Sequence, residues 1–264
     1  MGLEYTLIDA FTEKPFRGNP AVVFLLPEAR PTEWMQTVAS EMNQPETAFL
    51  VRSEDGYNLR WFTPAVEVDL AGHPTLASAH WLWTSGQLDL DTAARFHTRS
   101  GLLIAERHDD WIRLDFPATP AIEQPAPDGL AQALGAEVRW SGKSPFDLLA
   151  EVASEGALRA LEPNLSAISR YPVRGVIVTA KAADPPYDFV SRFFAPQSGI
   201  NEDPVTGSAH CCLGPYWSQK LGKTRLLAYQ ASARGGVVRL DVQETRVCLE
   251  GQAVTVATGR LLAG

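Results

Sequence analysis

The sequence predicts an α+β fold made of two similar, strand-rich domains. Short stretches in which apolar and polar residues alternate, as they do in half-buried strands, recur along the 264 residues. Only a few segments have helical spacing. Each half of the chain combines several such strands with one long helix, and a loop of small and polar residues precedes that helix. We therefore expect a pseudo-symmetric pair of domains.

The strand pattern is clearest in three segments. The first alternates Tyr5 and Leu7 with polar neighbours, and the others run over 112–116 and 238–242. A further strand begins at Glu46 and is apolar on both faces through Val51, so we expect it to be buried.

Three segments are predicted to form helices. Residues 32–42 carry apolar side chains at four-residue spacing, and so do residues 75–85, which Gly86 follows as a C-terminal stop. The third helix is predicted over 208–221, where Gly214-Pro215 should bend or interrupt it.

A proline-rich segment between Phe116 and Gly129 divides the two halves. Its composition is typical of a semi-rigid connector. We predict an N-terminal domain over residues 1–118 and a C-terminal domain over 128–264, with the option that the last strand returns to the first domain.

The overall charge limits the classes of partner. A net charge of -8 and a pI near 5.2 exclude a general affinity for nucleic acid or an anionic membrane surface. No stretch is long and apolar enough to predict a membrane span. The three cysteines have no metal-ligand spacing, so we expect reduced thiols in a cytoplasmic protein.

Glu46 is a candidate general acid or base. A carboxylate at the mouth of a buried strand is partly desolvated, which favours proton transfer near neutral pH. The local sequence alone favours the alternative, a solvated acid at a strand end.

Two loops before helices are candidate binding segments. In the first, Gly72 and His73 lie where a strand leads into a helix, and His73 can donate a hydrogen bond or share a proton. In the second, Asp203 is followed by Gly207 and Ser208, which offer backbone N–H groups and a hydroxyl. A structural histidine and an ordinary helix cap are the alternatives.

Other chemistries lack their motifs. The sequence has no Gly-x-Ser-x-Gly and no Gly-x-Gly-x-x-Gly. His210, Cys211 and Cys212 are consecutive on a helix and diverge by about 100° per residue, so they cannot close around one metal. We predict neither a metal nor a cofactor.

Four motifs together resemble the phenazine-biosynthesis isomerase family, the PhzF-like proteins. They occupy residues 8–23, 44–49, 71–75 and 202–209, and the resemblance is weakest over 121–170 and after Arg234. It implies a diaminopimelate epimerase-like fold, in which each domain is a curved, mostly antiparallel sheet around a central helix, and it implies a homodimer.

The resemblance also implies roles for residues. Glu46 corresponds to the family's acid/base residue, and Gly72, His73, Asp203, Gly207 and Ser208 correspond to positions that line its substrate pocket. Asn19 is expected nearby. Cysteine-dependent epimerases of this fold have a thiol at the start of each central helix, where this chain has Ala71 and Pro204. Racemisation with two thiols is therefore disfavoured.

The predicted function is a cofactor-independent isomerisation of a small carboxylate-bearing metabolite by general acid/base catalysis, with Glu46, His73 and Asp203 as catalytic residues. The alternatives are an amino-acid epimerase, racemase or dehydratase of the same fold, and a noncatalytic metabolite-binding protein.

Overall fold

The computed structural model describes residues 2–262. They form two compact units. The first contains the chain up to Asp115 together with the residues from Glu250 onward, and the second runs from Phe116 to Leu249. The last strand thus belongs to the first unit, which the predicted bounds allowed only as an option.

The strands and helices lie along the chain in the following order. The strands that begin in the first unit are β1 (Leu3–Ala10), β2 (Asn19–Leu26), β3 (Glu46–Ser53), β4 (Gly56–Phe62), β5 (Glu67–Val68), β6 (Ala94–Thr98), β7 (Gly101–His108), β8 (Trp111–Pro117) and β17 (Ala253–Leu261). Those that begin in the second are β9 (Ile122–Glu123), β10 (Val138–Lys143), β11 (Asp147–Val152), β12 (Gly175–Lys181), β13 (Phe189–Phe194), β14 (Arg225–Gln230), β15 (Gly236–Val242) and β16 (Arg246–Gly251). The helices are α1 (Thr32–Met42), α2 (His73–Thr84), α3 (Leu130–Leu134), α4 (Glu155–Arg159), α5 (Leu165–Ile168) and α6 (Gly207–Leu221), and a short 3-10 helix covers Pro196–Ser198.

The two units repeat one strand pattern. In the first unit β1 pairs antiparallel with β2, β2 parallel with β3, β3 antiparallel with β4, β4 parallel with β6 and β6 antiparallel with β7. In the second, the strands β10 to β15 alternate in the same sequence of antiparallel and parallel pairs. The second parallel connection holds α2 in one unit and α6 in the other. The predicted α+β architecture is confirmed.

Each unit has one deeply buried helix. In α2 nine residues are buried, among them every residue from His73 to Ala79, and in α6 eight are buried, including His210 and Trp217. By contrast, α1 is amphipathic and buries only Met35, Val38 and Ala39. Because most of the first turn of each helix is buried, a polar group there is largely shielded from water.

The predicted bounds of α1 agree with the structure, whereas α2 begins two residues earlier than predicted. Pro74 occupies the first turn, where its missing N–H costs no helical hydrogen bond. The helix therefore starts at His73 and includes this histidine in its first turn.

Helix α6 is continuous through Pro215, so it is not interrupted there, and the predicted bend stays a prediction. A proline at this position removes the N–H that would bond to the carbonyl of Cys211. That carbonyl instead accepts a hydrogen bond from the backbone N–H of Thr119 at 3.1 Å. A distant segment thus satisfies the group that the proline leaves open.

The proline-rich segment after β8 is not a free connector. Ile122 and Glu123 pair with β10, and the backbone N–H of Ala118 donates to the carbonyl of Thr245. These bonds attach the segment to the second unit, which is why that unit begins at Phe116 and not near residue 128.

Candidate active site

Glu46 begins β3 and is half-buried, directly beside Ala21 of β2 in parallel register. Side chains alternate between the faces of a sheet. Val22 and Phe49 pack with α1, so Ala21 and Glu46 belong to the opposite face. Helix α2 contacts the same strands, β1, β2 and β3. We conclude that Glu46 lies on the side of the sheet that α2 covers.

His73, the first residue of α2, reaches the same part of β2. Its side chain is 5% exposed and forms a hydrogen bond with the backbone of Pro20, the residue before Ala21. Because proline has no N–H, the Pro20 carbonyl accepts this bond from the ring. His73 therefore bonds to Pro20, and Glu46 lies beside Ala21, the next residue of β2.

The ring of His73 is neutral. Burial lowers its pKa to about 3, although the bond to Pro20 opposes the shift. Within residues 2–262, Nε2 of this ring has no hydrogen-bond partner, so Nδ1 makes the bond to Pro20. In a neutral imidazole the other nitrogen is then an acceptor. His73 can thus accept a hydrogen bond or a proton at Nε2. The other predicted role, donation of a hydrogen bond to the substrate, would require that Nε2 first be protonated.

Asn19 and Gly72 flank these two residues. Asn19 is fully buried, begins β2 and pairs with Ala10. Gly72 precedes α2 with right-handed helical dihedral angles. The loop before Asn19 is tightly wound: Phe16 has φ of 67°, and a Cβ on Gly18 would lie 2.1 Å from the carbonyl oxygen of Ala10. This loop fixes where β2, and hence Asn19, begins.

In the second unit, Asp203 is held by its own loop. Its carboxylate accepts a 2.5 Å hydrogen bond from the hydroxyl of Thr206. The buried side chain of Gln230 on β14 donates to the Asp203 carbonyl at 2.7 Å and accepts from the Thr206 N–H at 2.8 Å. The loop is therefore anchored to the sheet, and Asp203 is 7% exposed.

Gly207 and Ser208 form the first turn of α6. Thr206 is the residue before the helix, and its side chain does not cap the helix; its hydroxyl donates to Asp203 and accepts from Gln230 at 3.2 Å. The N–H groups of a first turn carry partial positive charge and attract anions. Gly207 is buried, whereas Ser208 is half-buried and accepts a 2.9 Å hydrogen bond from Arg174.

Arg174 was not among the residues predicted from sequence. It donates to both carboxylate oxygens of Asp147 as well as to Ser208. Burial alone would lower the pKa of Arg174, but the bonds to Asp147 and the charges of Asp147 and Asp203 raise it. The guanidinium therefore stays charged beside the start of α6.

The predicted site residues fall into two groups. Asn19, Glu46, Gly72 and His73 lie together in the first unit, and Asp203, Gly207 and Ser208 lie together in the second. Sequence reasoning missed Arg174, Asp147 and Gln230. The only local signal was a charged residue directly before the buried strand β12, since the partners of Arg174 are 27 and 34 residues away.

The remaining reactive groups are not arranged as a second centre. Cys211, Cys212 and Cys248 are buried thiols outside any disulfide, and burial raises the pKa of Cys212 to about 12. Over the described range, 2–262, no cluster of three or more His, Cys, Asp or Glu side chains has the arrangement of a metal site. In the same range, no helix has the length and apolar character needed to cross a membrane.

Comparison with known structures first defines the class. The fold is shared with a hydroxyproline epimerase from Agrobacterium vitis, with a TM-score of 0.67 at 12% identity over 98% of this chain and 92% of that one. This likeness concerns the fold alone. Together with isomerase relatives of much higher identity, it places the protein among the isomerases built on the epimerase-like α+β fold.

The family follows from closer similarities. Residues 8–259 match the family model described as phenazine biosynthesis-like protein, PhzC-PhzF, and the chain belongs to this family. An uncharacterised isomerase from Halalkalibacterium halodurans is 52% identical over 97% of both chains. The crystal structure of a PhzF family protein from Enterococcus faecalis has a TM-score of 0.94 at 40% identity, over 98% of this chain and 99% of that one. The sequence resemblance is confirmed.

Proposed function

We propose that this isomerase moves a proton on a small carboxylate-bearing metabolite, with Glu46 as the general acid and base and without a cofactor. Glu46 removes a proton from a carbon atom of the substrate and returns one at another position of the conjugated system. The substrate keeps its composition, so the net reaction is an isomerisation.

The observation that carries the proposal is the convergence of Glu46 and His73 on Pro20 and Ala21 of β2. A half-buried carboxylate is a stronger base than one in water because its charged form is less solvated. A neutral imidazole nearby adds an acceptor for a substrate O–H or N–H without adding a second charge. These two groups suit proton transfer at carbon.

Asp203, Gly207 and Ser208 are proposed to bind the polar groups of the substrate. The anchored carboxylate of Asp203 suits an amino or hydroxyl group. The hydroxyl of Ser208 and the N–H groups of the first turn of α6 suit a carboxylate, and they stabilise negative charge that develops during proton abstraction. Although the chain as a whole is acidic, these donors give an anion a local binding position.

Replacement of Glu46 tests the proposal. We expect Glu46→Gln to fold but to lose turnover by about 10³-fold or more, because the amide has almost the shape of the carboxylate but cannot transfer the proton. The measurement is mass spectrometry of a metabolite extract incubated with the protein in heavy water, which detects species that gain deuterium. Glu41→Gln on the exposed face of α1 is the control. Equal labelling by Glu46→Gln and the wild type would remove Glu46 from the mechanism.

The same experiment separates the alternatives. An epimerase or racemase would place deuterium at the α-carbon of an amino acid without changing its constitution, and a dehydratase would change the substrate mass by one water. A noncatalytic binding protein would label nothing. Ala71 and Pro204 replace the thiols that the cysteine-dependent reaction needs, which favours the isomerase.

Location and assembly complete the proposal. We expect a cytoplasmic homodimer. The three cysteines are not joined in disulfides, which agrees with a reducing compartment. The homodimer rests on the family resemblance, and light scattering after size-exclusion chromatography measures it directly.

A further inference from the structure

Arg174 has no role in the proton transfer proposed above. It lies directly before β12 in the second unit, and its Nε and Nη2 donate to the two oxygens of Asp147 at 2.9 and 2.5 Å. The Asp147 side chain is only 2% exposed. Bidentate arginine–carboxylate pairs fix both partners in plane and in rotation. The remaining nitrogen, Nη1, is therefore held in one direction.

The guanidinium lies over two aromatic rings. Its carbon lies 5.5 Å from the ring centre of Phe146 and 5.4 Å from that of Phe193. Gly175 makes room for the second ring, since a Cβ there would lie 2.4 Å from Cζ of Phe193. A side chain with this support loses little freedom when a ligand binds beside it.

Nη1 of Arg174 contacts the hydroxyl oxygen of Ser208 at 2.9 Å. Arginine only donates hydrogen bonds, so Ser208 must accept this one. The hydroxyl proton of Ser208 is then directed to a different acceptor. Arg174 thus makes Ser208 a donor, and its guanidinium, whose charge is balanced by Asp147, lies at the start of α6.

We propose that Arg174 is a positioning and specificity-determining residue, which orients the Ser208 hydroxyl and makes this position select a carboxylate over an uncharged group of the same shape. The inference rests on the proposed function in one respect, namely that Ser208 binds the substrate. Arg174 acts through Ser208 and through its charge.

A second arginine in the chain provides a matched control. Arg60 donates to both oxygens of Glu67 at 2.6 and 2.7 Å, donates to the hydroxyl of Thr32 at 2.8 Å and lies 5.2 Å from the ring centre of Phe62. This arrangement copies that of Arg174, but it belongs to the first unit and to the start of the amphipathic helix α1. Its loss removes a comparable bidentate pair without touching Ser208, although Glu67 keeps a second partner in Arg99.

The experiment measures binding by the full chain with calorimetry. The probes are benzoate and sorbate, each compared with its own amide. We expect the wild type to bind the acids more tightly than the amides, and Arg174→Met to reduce that acid-to-amide ratio by about 10- to 100-fold, the range for hydrogen bonds to charged groups. Arg60→Met should leave the ratio unchanged. Arg174→Lys keeps a charge for Asp147 but cannot also hold Ser208, so its ratio should lie between those of wild type and Arg174→Met.

A merely structural role gives a different result, because it would weaken the binding of acid and amide alike. Ser208→Ala should also reduce the ratio, and adding it to Arg174→Met should reduce the ratio by less than the product of the two single effects. A wild type without preference for the acids, or an unchanged ratio in Arg174→Met, overturns the proposal. If Arg174→Met does not fold, an unchanged ratio in Arg174→Lys overturns it instead.

Binding needs no turnover, so the two proposals fail separately. If Glu46→Gln keeps full turnover while Arg174→Met loses the preference, the acid/base assignment is wrong and the role of Arg174 stands.

Discussion

The first turns of α2 and α6 occupy equivalent places in the two units and carry different chemistry. In α2 the first residue is His73, whose neutral ring leaves an acceptor nitrogen, and Pro74 has no N–H to offer. In α6 the first residues are Gly207 and Ser208, beside the cation Arg174. One topology thus supports an acceptor in one unit and donors in the other. The repeated fold fixes where the polar groups stand, and the local sequence decides what they do.

The sharpest test of this difference compares two buried histidines. His210 in α6 donates from Nδ1 to the Thr206 carbonyl, and burial lowers its pKa to about 4, so it resembles His73 in burial and charge. We expect His73→Leu to reduce turnover by about 10²- to 10³-fold, because it removes the acceptor beside Glu46. His210→Leu should cost less than about tenfold.

The measurement is the rate of deuterium incorporation by both variants, with folding checked by circular dichroism. If the two replacements cost the same turnover, the distinction between the two helix starts fails.

The anchoring of the Asp203 loop gives the next effect. Gln230→Leu leaves the buried Thr206 N–H and the Asp203 carbonyl without this partner, and we expect the free energy of unfolding to fall by about 2–3 kcal/mol. The side chain of Gln36 in the first unit donates one hydrogen bond, to the Thr63 carbonyl. Gln36→Leu should therefore lower the free energy of unfolding by about 1 kcal/mol. Urea unfolding of both variants measures the difference, and a Gln230→Leu protein as stable as wild type would show that the loop is held in another way.

Stability should also depend on pH. The pKa of His73 is lowered to about 3 and that of His210 to about 4, both by burial, whereas the unfolded chain has ordinary histidines near 6.5. Below 6.5 the unfolded state binds more protons, so stability is fully present above that pH and is lost as the pH falls towards 4. Each histidine changes the free energy of unfolding by at most about 1.4 kcal/mol per pH unit in this window.

His210→Leu removes one of these groups, so its free energy of unfolding should fall less steeply than that of wild type between pH 6.5 and 5. Urea titrations at pH 7, 6 and 5 compare the two slopes. Parallel slopes would mean that His210 is protonated in the folded protein.

Sequence patterns predicted those parts of the molecule that depend on near neighbours. The spacing of α1 gave its bounds because one apolar stripe packs on the sheet. The continuity of α6 could not be predicted, because the carbonyl that Pro215 leaves open is satisfied by Thr119, which is distant along the chain. Arg174 was missed for the same reason, because its role depends on hydrogen bonds to Asp147 and Ser208, which are distant along the chain. Glu46 and His73 were found by motif, and their proposed roles await the variants above.

The pairing of β1 with β17 has a consequence for biosynthesis. Leu3 pairs with Leu261, and β1 also pairs with β2. While the ribosome is still making the second unit, β1 lacks one neighbour and presents an open edge, the kind of surface at which nascent chains associate wrongly. The second unit is continuous in sequence and can close first. The first unit, which carries Glu46, can therefore be completed only after the second unit has been synthesised.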